Sequence, residues 1–475
     1  MANINVNPNI SALVISLRSI GYSFENAISD IIDNSITANA TEISINCNWD
    51  GINPYVEIID NGIGMNYEEL INAMVLGSKS KKEIRDRDDL GRFGLGLKTA
   101  SFSQCKKLTV ITKQNEKILQ AIYDLEKVVK ENDLTIDLTE PKEFDTLESQ
   151  GTFVKWELID TLEKKNKVDS QNYFNNLIND LEKHISLYFH RFLAGDKTKK
   201  ITINLNNIAC KPYNPFFVER SEKLPLEIID DLNTSCKVQA YTLPHHQKVN
   251  NFEWELYAGK EGYLANQGFY LYRNNRLIIK GTWFKLRAKK EETKLSRIAI
   301  DIDNTCDEFW QIDVKKSSAE PPLTVRSKLK KIVDRFTAPA KKKINNRGAK
   351  LHNQDALPIW KRIINDHKIQ YSVSKEHPKI ESFKKQLIED NKKGFDEILD
   401  LIDSTIPLSS IYTDYSEAPK NIEIKELPDQ ELLEHAKDMI KTLLEKTDFS
   451  KEEIINKIRF SEPFKSNWEQ LEKNL

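Results

Sequence analysis

Hydrophobic residues recur at helical spacing near the N-terminus of the chain. Apolar side chains three or four positions apart over residues 10–37 predict amphipathic helices, and Gly21 divides this segment into two. Residues 42–48 and 55–59 then alternate apolar and polar side chains as strands do, with turn-forming residues between them. The pattern therefore predicts two helices and a β-hairpin, followed by a glycine-rich segment.

Short alternating runs farther along predict more strands. They are expected at residues 107–112, 118–123 and 151–158, before a helix over 170–192. A second mixed region is expected to have strands at 201–205, 238–243, 252–258, 268–272, 277–279, 298–302 and 310–314. From residue 325 the pattern is helical and polar, with helices expected near 381–401 and 429–445, and residues 345–356 have the composition of a linker.

Composition places the chain among folded, multidomain proteins. Its 475 residues are 39% hydrophobic and 30% charged, and the length fits about three domains or, equally well, two larger ones. The formal net charge of −2 excludes a uniformly basic surface for nucleic acid. The 5 cysteines are scattered and form no C-x-x-C pair, which argues against a disulfide framework or a zinc ribbon. Neither a signal peptide nor a membrane-spanning run is found, so we expect a cytoplasmic protein.

A carboxylate and an amide share one face of the second predicted helix. Asp30 and Asn34 are four positions apart, so their side chains point from the same surface. The carboxylate can serve as a general base and the amide oxygen can bind a hard cation. The simpler interpretation is a pair of solvated residues on an amphipathic helix, and this fragment alone favours it.

Glycines are concentrated in one stretch, where six of the 16 lie between Gly62 and Gly96. Asp60 ends an apolar strand just before the first of them, and its carboxylate can accept a hydrogen bond from an exocyclic amine. Gly62 and Gly64 allow a flat ring to approach the backbone closely. This arrangement predicts the binding of a heterocyclic base.

A second glycine cluster precedes another predicted helix. Gly91, Gly94 and Gly96 lead into a helix that should begin near Leu97, and successive backbone amides at such a place can bind an anion. Lys98 adds a positive charge. The spacing matches neither G-x-G-x-x-G nor G-x-x-x-x-G-K-[ST], so the order of all these elements is more informative than the glycines alone.

Three segments, in this order, resemble the N, G1 and G2 boxes of the GHKL ATPase superfamily, which includes gyrase B subunits, heat-shock chaperones, histidine kinases and MutL proteins. They are SDIIDNSITANAT, IIDNGIGM and GRFGLGLKTAS. The Gly151-Thr152 pair resembles the strand whose hydroxyl supports the adenine-binding acid. The segment GFYLYRNNRLII, residues 268–279, is most similar to MORC ATPases and their prokaryotic relatives.

The resemblance implies an α+β fold: a Bergerat-type sandwich of a mixed sheet with helices on one face, a second α/β domain like the S5-type transducer, and a helical C-terminal region. We therefore expect domains at residues 1–195, 196–345 and 346–475, of which the last is expected to bind partners. The implied cofactors are ATP and Mg²⁺.

The resemblance also assigns roles to individual residues. Asn34 would bind magnesium, Asp60 would read the adenine, Asp30 would be the catalytic base, and residues 66–92 would form a lid. The residues expected to contact ATP are Asn34, Asp60, Gly62, Gly64, Met65, Gly91, Gly94, Leu95, Gly96, Leu97, Lys98 and Thr152.

One position departs from the superfamily pattern. Hydrolysing relatives usually carry glutamate where this chain has Asp30, which reaches one methylene less far. A misplacement of about 1 Å can lower a rate about 100-fold. Slow turnover, or binding without hydrolysis, is therefore expected.

The second region is expected to send a lysine to the terminal phosphate. Lys316, with Lys315 as substitute, lies in the segment WQIDVKKSSAEPP; the alternative is that both are ordinary surface charges. Residues 326–350 hold ten basic residues and one acid, which is a candidate DNA contact. The candidate DNA-binding residues are Lys328, Lys330, Lys331, Lys341, Lys342 and Lys343. The alternative is a solvated helix that balances the acidic C-terminal region.

The functional expectation is a MORC- or MutL-like ATPase that dimerises with ATP and clamps or remodels double-stranded DNA without sequence preference. The resemblance suggests a prokaryotic restriction or phage-defence system. The alternatives are a chaperone-like remodeller of proteins and a scaffold that binds nucleotide without hydrolysing it. A sensor kinase is disfavoured because no dimerisation helix with an acceptor histidine precedes the ATPase segment.

Overall fold

The computed structural model describes residues 9–19, 21–49, 54–75, 90, 96–133, 135–160, 170–231, 234–313, 318–348, 357–365, 368–417, 422, 427–447, 449–472 and 474–475. The chain divides into two compact units. The first consists of Met1–Pro244 and Tyr257–Ala338, and the second of His245–Leu256 and Pro339–Leu475.

A mixed sheet of eight described strands forms the N-terminal part of the first unit. Its strands are β1 Glu42–Asn48, β2 Tyr55–Asp60, β3 Lys107–Gln114, β4 Lys117–Asp124, β5 Asp137–Thr139, β6 Gly151–Glu157, β7 Thr202–Leu205 and β8 Ile208–Ala209. They lie in the order β5-β4-β3-β6-β2-β1-β7-β8. The pair β1–β7 is parallel and the others are antiparallel.

Helices cover one face of this first sheet. They are α1 Ile10–Arg18, α2 Phe24–Thr37, α3 Tyr67–Met74, α4 Gly96–Gln104, α5 Leu125–Glu131, α6 Ser170–Tyr188 and α7 His190–Ala194. Ile28 of α2, Phe102 of α4 and Ile185 of α6 are fully buried in one core with Val110 and Trp156 of the sheet. The shared core confirms the predicted α+β sandwich with helices on one face.

A second sheet follows within the same unit. Its strands are β9 Glu222–Lys223, β10 Glu227–Asp231, β11 Thr234–Thr242, β12 Gly268–Arg273, β13 Arg276–Thr282 and β14 Ser296–Ile302. The order is β10-β11-β14-β12-β13, and β9 pairs with β11. Helix α9 Gly262–Ala265 precedes β12 in this unit. Two helices cross the division between the units: α8 Asn251–Ala258, which precedes α9, and α10 Leu323–Gly348, which follows the sheet. Val325, Leu329 and Phe336 turn one face of α10 into the core of this sheet.

The second unit has its own core. It contains the hairpin β15 Trp360–Asn365 and β16 Lys368–Val373 and the helices α11 Pro378–Gln386, α12 Glu389–Ser404, α13 Leu408–Glu417, α14 Asp429–Lys446, α15 Lys451–Arg459 and α16 Trp468–Leu471. Leu432, Met439, Ile454 and Trp468 are buried together. The expected helical C-terminal region is present, with one hairpin that the polar pattern had not indicated.

Two predicted strands are wrong. Residues 252–258 lie in helix α8. At its start the side chain of Asn250 accepts a hydrogen bond of 2.7 Å from the amide of Glu253, and the side chain of Glu253 accepts one of 3.1 Å from the amide of Asn250. Such a capping arrangement fixes a helix start and outweighs the alternating pattern. Residues 310–313 are turn and irregular backbone, with φ of 46° at Gln311, and residue 314 lies outside the described residues.

Single 3₁₀ turns occupy His246–Lys248, Glu291–Thr293, Asn304–Cys306 and Lys465–Asn467. None of the helices within the described ranges has the length and apolarity to cross a membrane.

Candidate active site

Helix α2 carries the first group of candidate residues. Ser23 caps its N-terminus by accepting a hydrogen bond from the amide of Asn26 at 3.3 Å. Asp30 is buried, and the phenol of Tyr22 donates a hydrogen bond of 2.9 Å to its Oδ2 atom. Burial, together with the nearby Asp30 carboxylate, raises the pKa of Tyr22, so the phenol keeps the proton that it donates.

Asn34 lies one helical turn after Asp30 and is exposed. Its carboxamide oxygen is therefore accessible to a cation in solvent, whereas the carboxylate of Asp30 lies deeper. The carboxylate and the amide are thus present on one helix, but at different depths.

Asp60 is held in a defined orientation at the end of β2. Its Oδ2 atom accepts a hydrogen bond of 2.7 Å from Ser35, and its Oδ1 atom accepts one of 2.9 Å from the amide of Gly62. Burial raises the pKa of Asp60, while the hydrogen bonds from Ser35, Gly62 and the backbone of Thr152 oppose that rise. A carboxylate has about four acceptor positions, so these three bonds leave capacity for one more donor.

The glycine turn after Asp60 has no room for side chains. An added Cβ atom on Gly62 would lie 2.8 Å from the carbonyl oxygen of Ala38. Gly64 has a φ of +68°, and a Cβ atom there would lie 2.2 Å from the carbonyl oxygen of Lys113. The amide of Met65 then donates to the Thr112 hydroxyl at 2.8 Å, which fixes the exit of the turn.

The first turn of α4 lies beside Asp30. An added Cβ atom on Gly96 would lie 3.8 Å from Oδ2 of Asp30, so the two segments are in contact range. Leu97 is half-buried against the core of the first sheet. Helix α4 has nine residues, and its dipole places a partial positive charge at its N-terminus, near the acid.

Lys98 is buried in the same turn. Only 1% of the residue is exposed, and its ammonium donates a hydrogen bond to the carbonyl oxygen of Val75, directly after α3. Burial lowers the pKa of Lys98 to about 8. The Lys98 ammonium therefore loses its proton more readily than usual, unless a bound anion stabilises the charged form.

The structure brings several predicted residues into one region of the first sheet. Helix α2 contacts both Asp60, through Ser35, and Gly96, through Asp30. Gly91, Gly94, Leu95 and Lys316 lie outside the described residues, as do Lys315 and most of the expected lid.

The support of Asp60 differs in one respect from the sequence interpretation. The donor hydroxyl belongs to Ser35, whereas Thr152 contributes through its backbone and its hydroxyl lies 3.5 Å from that of Thr112. Ser35 was missed because its partner Asp60 lies 25 positions farther along the chain. A buried acid requires donors, and a serine beside the motif was the available signal.

A family model described as "Histidine kinase-, DNA gyrase B-, and HSP90-like ATPase" matches residues 22–152. This segment includes every described residue from Tyr22 to Thr152 that builds the region above. Over residues 22–152 the chain therefore matches the GHKL ATPase superfamily.

Three curated relatives are similar to parts of the chain. ATPase morc-1 of Caenorhabditis elegans is 30% identical over 89 residues, which is 19% of this chain and 10% of that protein. The Putative MutL protein homolog 1 of Schizosaccharomyces pombe is 38% identical over 96 residues, 20% of this chain and 14% of that protein. ATPase MORC2B of Mus musculus is 32% identical over 100 residues, 18% of this chain and 9% of that protein. Each match covers a small part of the relative's own length.

In the part of the chain that the structure describes, the metal-ligating side chains near Asp30 and Asn34 are few, which fits a magnesium ion that is held largely by phosphate and water. Within the described ranges no group of three or more His, Cys, Asp or Glu residues could hold a metal ion. Magnesium commonly keeps several waters and takes one or two protein oxygens beside substrate phosphates. The exposed carboxamide of Asn34 suits that role.

The basic helix α10 presents a mixed surface. Lys328, Lys330 and Lys331 are exposed and Lys341 is half-buried, whereas nothing is described for the side chains of Lys342 and Lys343. Lys328 donates to the carbonyl oxygen of Asp230 at 2.6 Å, and Arg335 pairs with Glu227. Part of the local positive charge is therefore engaged by the edge strand β10.

Proposed function

We propose that this chain is an ATPase that binds ATP with magnesium in its GHKL domain and hydrolyses it slowly. The observation that supports this most directly is the shared use of helix α2. The helix orients the buried Asp60 through Ser35 and also presents Asp30 to the first turn of α4. The proposed base-binding acid is thus hydrogen-bonded to the same helix that carries the proposed general base.

Each group of residues has a part in binding. Asp60 accepts a hydrogen bond from the adenine amine, while Gly62, Gly64 and Met65 contact the flat face of the base. The amides from Gly91 to Leu97, including those of Gly94, Leu95 and Gly96, bind the phosphates, and Lys98 supplies a positive charge. Thr152 supports Asp60 through its backbone.

Hydrolysis would use Asp30 as the general base. Its carboxylate takes a proton from water, the water oxygen attacks the γ-phosphorus, and the bond from that phosphorus to the β,γ-bridging oxygen breaks. ADP leaves with the bond electrons, and Asp30 returns its proton to solvent. Asn34 would hold magnesium, which would supply positive charge to offset that of the phosphates.

Phosphate release tests the enzymatic part of the proposal. The intact chain should release phosphate from ATP, and Asp30→Ala should lower the rate about 100-fold or more while ATP still binds. If both proteins are equally inert while ATP binds, the chain is a nucleotide-binding scaffold and not an ATPase.

We further propose that ATP drives dimerisation and closes the chain around double-stranded DNA. Lys316 would contact the terminal phosphate and distinguish ATP from ADP, since only differential contact shifts a conformational equilibrium. The exposed Lys330 and Lys331 of α10, together with Lys328, Lys341, Lys342 and Lys343, would contact the phosphate backbone. A role in prokaryotic restriction or phage defence rests on the family resemblance.

Particle size with ADP and with a non-hydrolysable ATP analogue, each with and without duplex DNA, tests this second part. A dimer that forms only with the analogue and retains DNA supports the clamp. A monomer in every condition contradicts it. A dimer that ignores duplex DNA but binds unfolded protein would instead indicate a chaperone-like remodeller.

A further inference from the structure

A tight turn in the second sheet places two arginines against the GHKL domain. Strand β12 ends at Arg273 and β13 begins at Arg276, with φ values of 46° and 67° at Asn274 and Asn275. Left-handed backbone at both positions is typical of a two-residue hairpin, and asparagine tolerates it. Arg273 and Arg276 are cross-strand partners, so their side chains leave the same face of the hairpin.

Arg273 fixes the chain directly before the predicted phosphate loop. Its Nε and Nη2 atoms bond the carboxylate of Asp307 at 2.6 and 2.7 Å, and its Nη1 atom donates to the carbonyl oxygen of Leu90 at 3.0 Å. The amide of Leu90 lies 3.4 Å from the Thr37 hydroxyl at the end of α2. Leu90, which directly precedes Gly91, is therefore held on both sides.

Arg276 contacts the residue directly before Asn34. Its Nε atom lies 3.0 Å from Oδ1 of Asp33, which is 1% exposed. The guanidinium lies 4.1 Å from the centre of the Phe189 ring, which is itself buried. Asp33 thus forms a buried ion pair with the second sheet, while the next residue along α2 is exposed.

These contacts are poorly explained by stability alone. Removing two charges from water costs several kcal/mol per ion, and apolar replacements of buried ion pairs are often as stable. Buried pairs are better suited to fixing a relative position. Arg273 contacts Leu90, directly before Gly91, and Arg276 contacts Asp33, directly before Asn34. Gly91 and Asn34 both have proposed roles in nucleotide binding.

We propose that Arg273 and Arg276 are positioning residues for the nucleotide site: Arg276 orients Asn34 for magnesium, and Arg273 sets the start of the phosphate loop. The second sheet and the nucleotide then influence each other, because coupling between two sites is reciprocal. This inference rests on the proposed ATP site and adds to it the route by which ATP binding reaches the second sheet.

Binding of a non-hydrolysable ATP analogue to the full chain, with Mg²⁺ and with EDTA, tests the role of Arg276. Arg276→Gln should reduce the affinity gained from Mg²⁺ about 10-fold, in the range found for partners of metal ligands. Affinity without the metal should change much less. Asp33→Asn/Arg276→Gln removes both charges of this ion pair, so that no buried carboxylate loses its guanidinium partner, and should show the same reduction.

A matched control lies between the same two sheets. Arg191 pairs with Asp301 and is as deeply buried as Arg276, but its hydrogen bonds and ion pair involve none of the candidate nucleotide residues that the structure describes. Arg191→Gln should lower the melting temperature of the chain but leave unchanged the increase in affinity for the ATP analogue that Mg²⁺ causes. The inference is overturned if Arg191→Gln reduces the gain equally, or if the double variant keeps the parent's gain. A parent chain that binds no nucleotide contradicts the proposed function itself, and the inference with it.

Arg273 has a separate readout. Arg273→Lys keeps a positive charge beside Asp307 but removes the guanidinium, whose Nη1 atom donates to the carbonyl oxygen of Leu90. The preference for the ATP analogue over ADP should fall about 10-fold, because one charge-assisted hydrogen bond is lost at the start of the phosphate loop. An unchanged preference in a folded variant overturns this role.

Discussion

The hydroxyl of Ser35 donates a hydrogen bond of 2.7 Å to Oδ2 of Asp60. This bond joins helix α2 to strand β2 across 25 positions of the chain. It opposes the burial that raises the pKa of the Asp60 carboxylate, as do the hydrogen bonds from Gly62 and Thr152. An ionised Asp60 accepts a hydrogen bond from an amine, whereas the protonated form has lost part of that capacity.

Removing this hydroxyl should weaken ATP binding in a pH-dependent way. Ser35→Ala takes away one bond that lowers the pKa of Asp60, so its pKa should rise further and the acid should protonate at a higher pH. We expect about 10-fold weaker ATP binding near pH 6 and a smaller loss near pH 8. Titration calorimetry at pH 6 and at pH 8 measures the affinity of the parent and of the variant for ATP. Ser29→Ala is the matched control, since Ser29 is buried on α2 but contacts His184; an equal loss in that variant would refute the specific role of Ser35.

Lys98 should make ATP affinity fall above neutral pH. Burial lowers its pKa to about 8, and a bound phosphate would restore the protonated form. Affinity should therefore drop about 10-fold between pH 7 and pH 9. Lys98→Arg should keep the affinity level over this range, and Lys98→Met should be weak throughout. A parent whose affinity does not change with pH would contradict a phosphate contact by Lys98.

The turn after Asp60 should not tolerate an added methyl group at Gly64. Its φ of +68° and the 2.2 Å approach of a Cβ atom to the Lys113 carbonyl require local displacement. Gly64→Ala should cost about 2 kcal/mol or more of unfolding free energy and abolish ATP binding. Gly394→Ala is the control, because an added Cβ atom there meets nothing within 4 Å. It should be neutral or slightly stabilising on helix α12. Urea unfolding compares the two, and equal stability of both variants would disprove the steric account.

Two buried histidines should make the first unit labile to acid. Burial first, then nearby cations, lowers the pKa of His184 and of His190 to about 3. The unfolded chain takes up these protons near the ordinary pKa of 6.5, so unfolding free energy should fall as the pH drops below that value. We expect a loss of about 1–3 kcal/mol per histidine by pH 4.

Urea unfolding at pH 7, 5 and 4 measures this loss. His184→Gln should flatten the dependence, whereas His435→Gln on α14 of the second unit should not. A parent with equal unfolding free energy at all three values would show that these histidines do not titrate on unfolding.

Much of the first sheet could be predicted because its pattern is local. The break at Gly21, the hairpin of β1 and β2 and the strands β3, β4 and β6 follow from alternation and turn residues in sequence. The order of Asp30, Asn34, Asp60 and the glycines indicated the ATPase family for the same reason. These signals lie within short segments and do not depend on distant contacts.

The remaining features depend on packing between distant segments. Ser35 was missed because only the folded structure brings it to Asp60, and Arg276 because its partner Asp33 lies 243 positions away. Helix α8 was mistaken for a strand because its spacing is compatible with both, although the Asn250 and Glu253 cap was visible in the sequence. The hairpin of β15 and β16 was missed because the polar region around it was taken as helical throughout.

The most direct measurement compares equilibrium binding of ATP and GTP to the intact chain and to Asp60→Ala. An adenine carries an amine where guanine carries an oxygen, so a carboxylate in this place should favour ATP. The account predicts that the intact chain binds ATP at least about 10-fold more tightly than GTP, and that Asp60→Ala loses both the affinity and the preference. Equal binding of the two nucleotides by the intact chain, or unchanged ATP affinity in a folded Asp60→Ala variant, would contradict it.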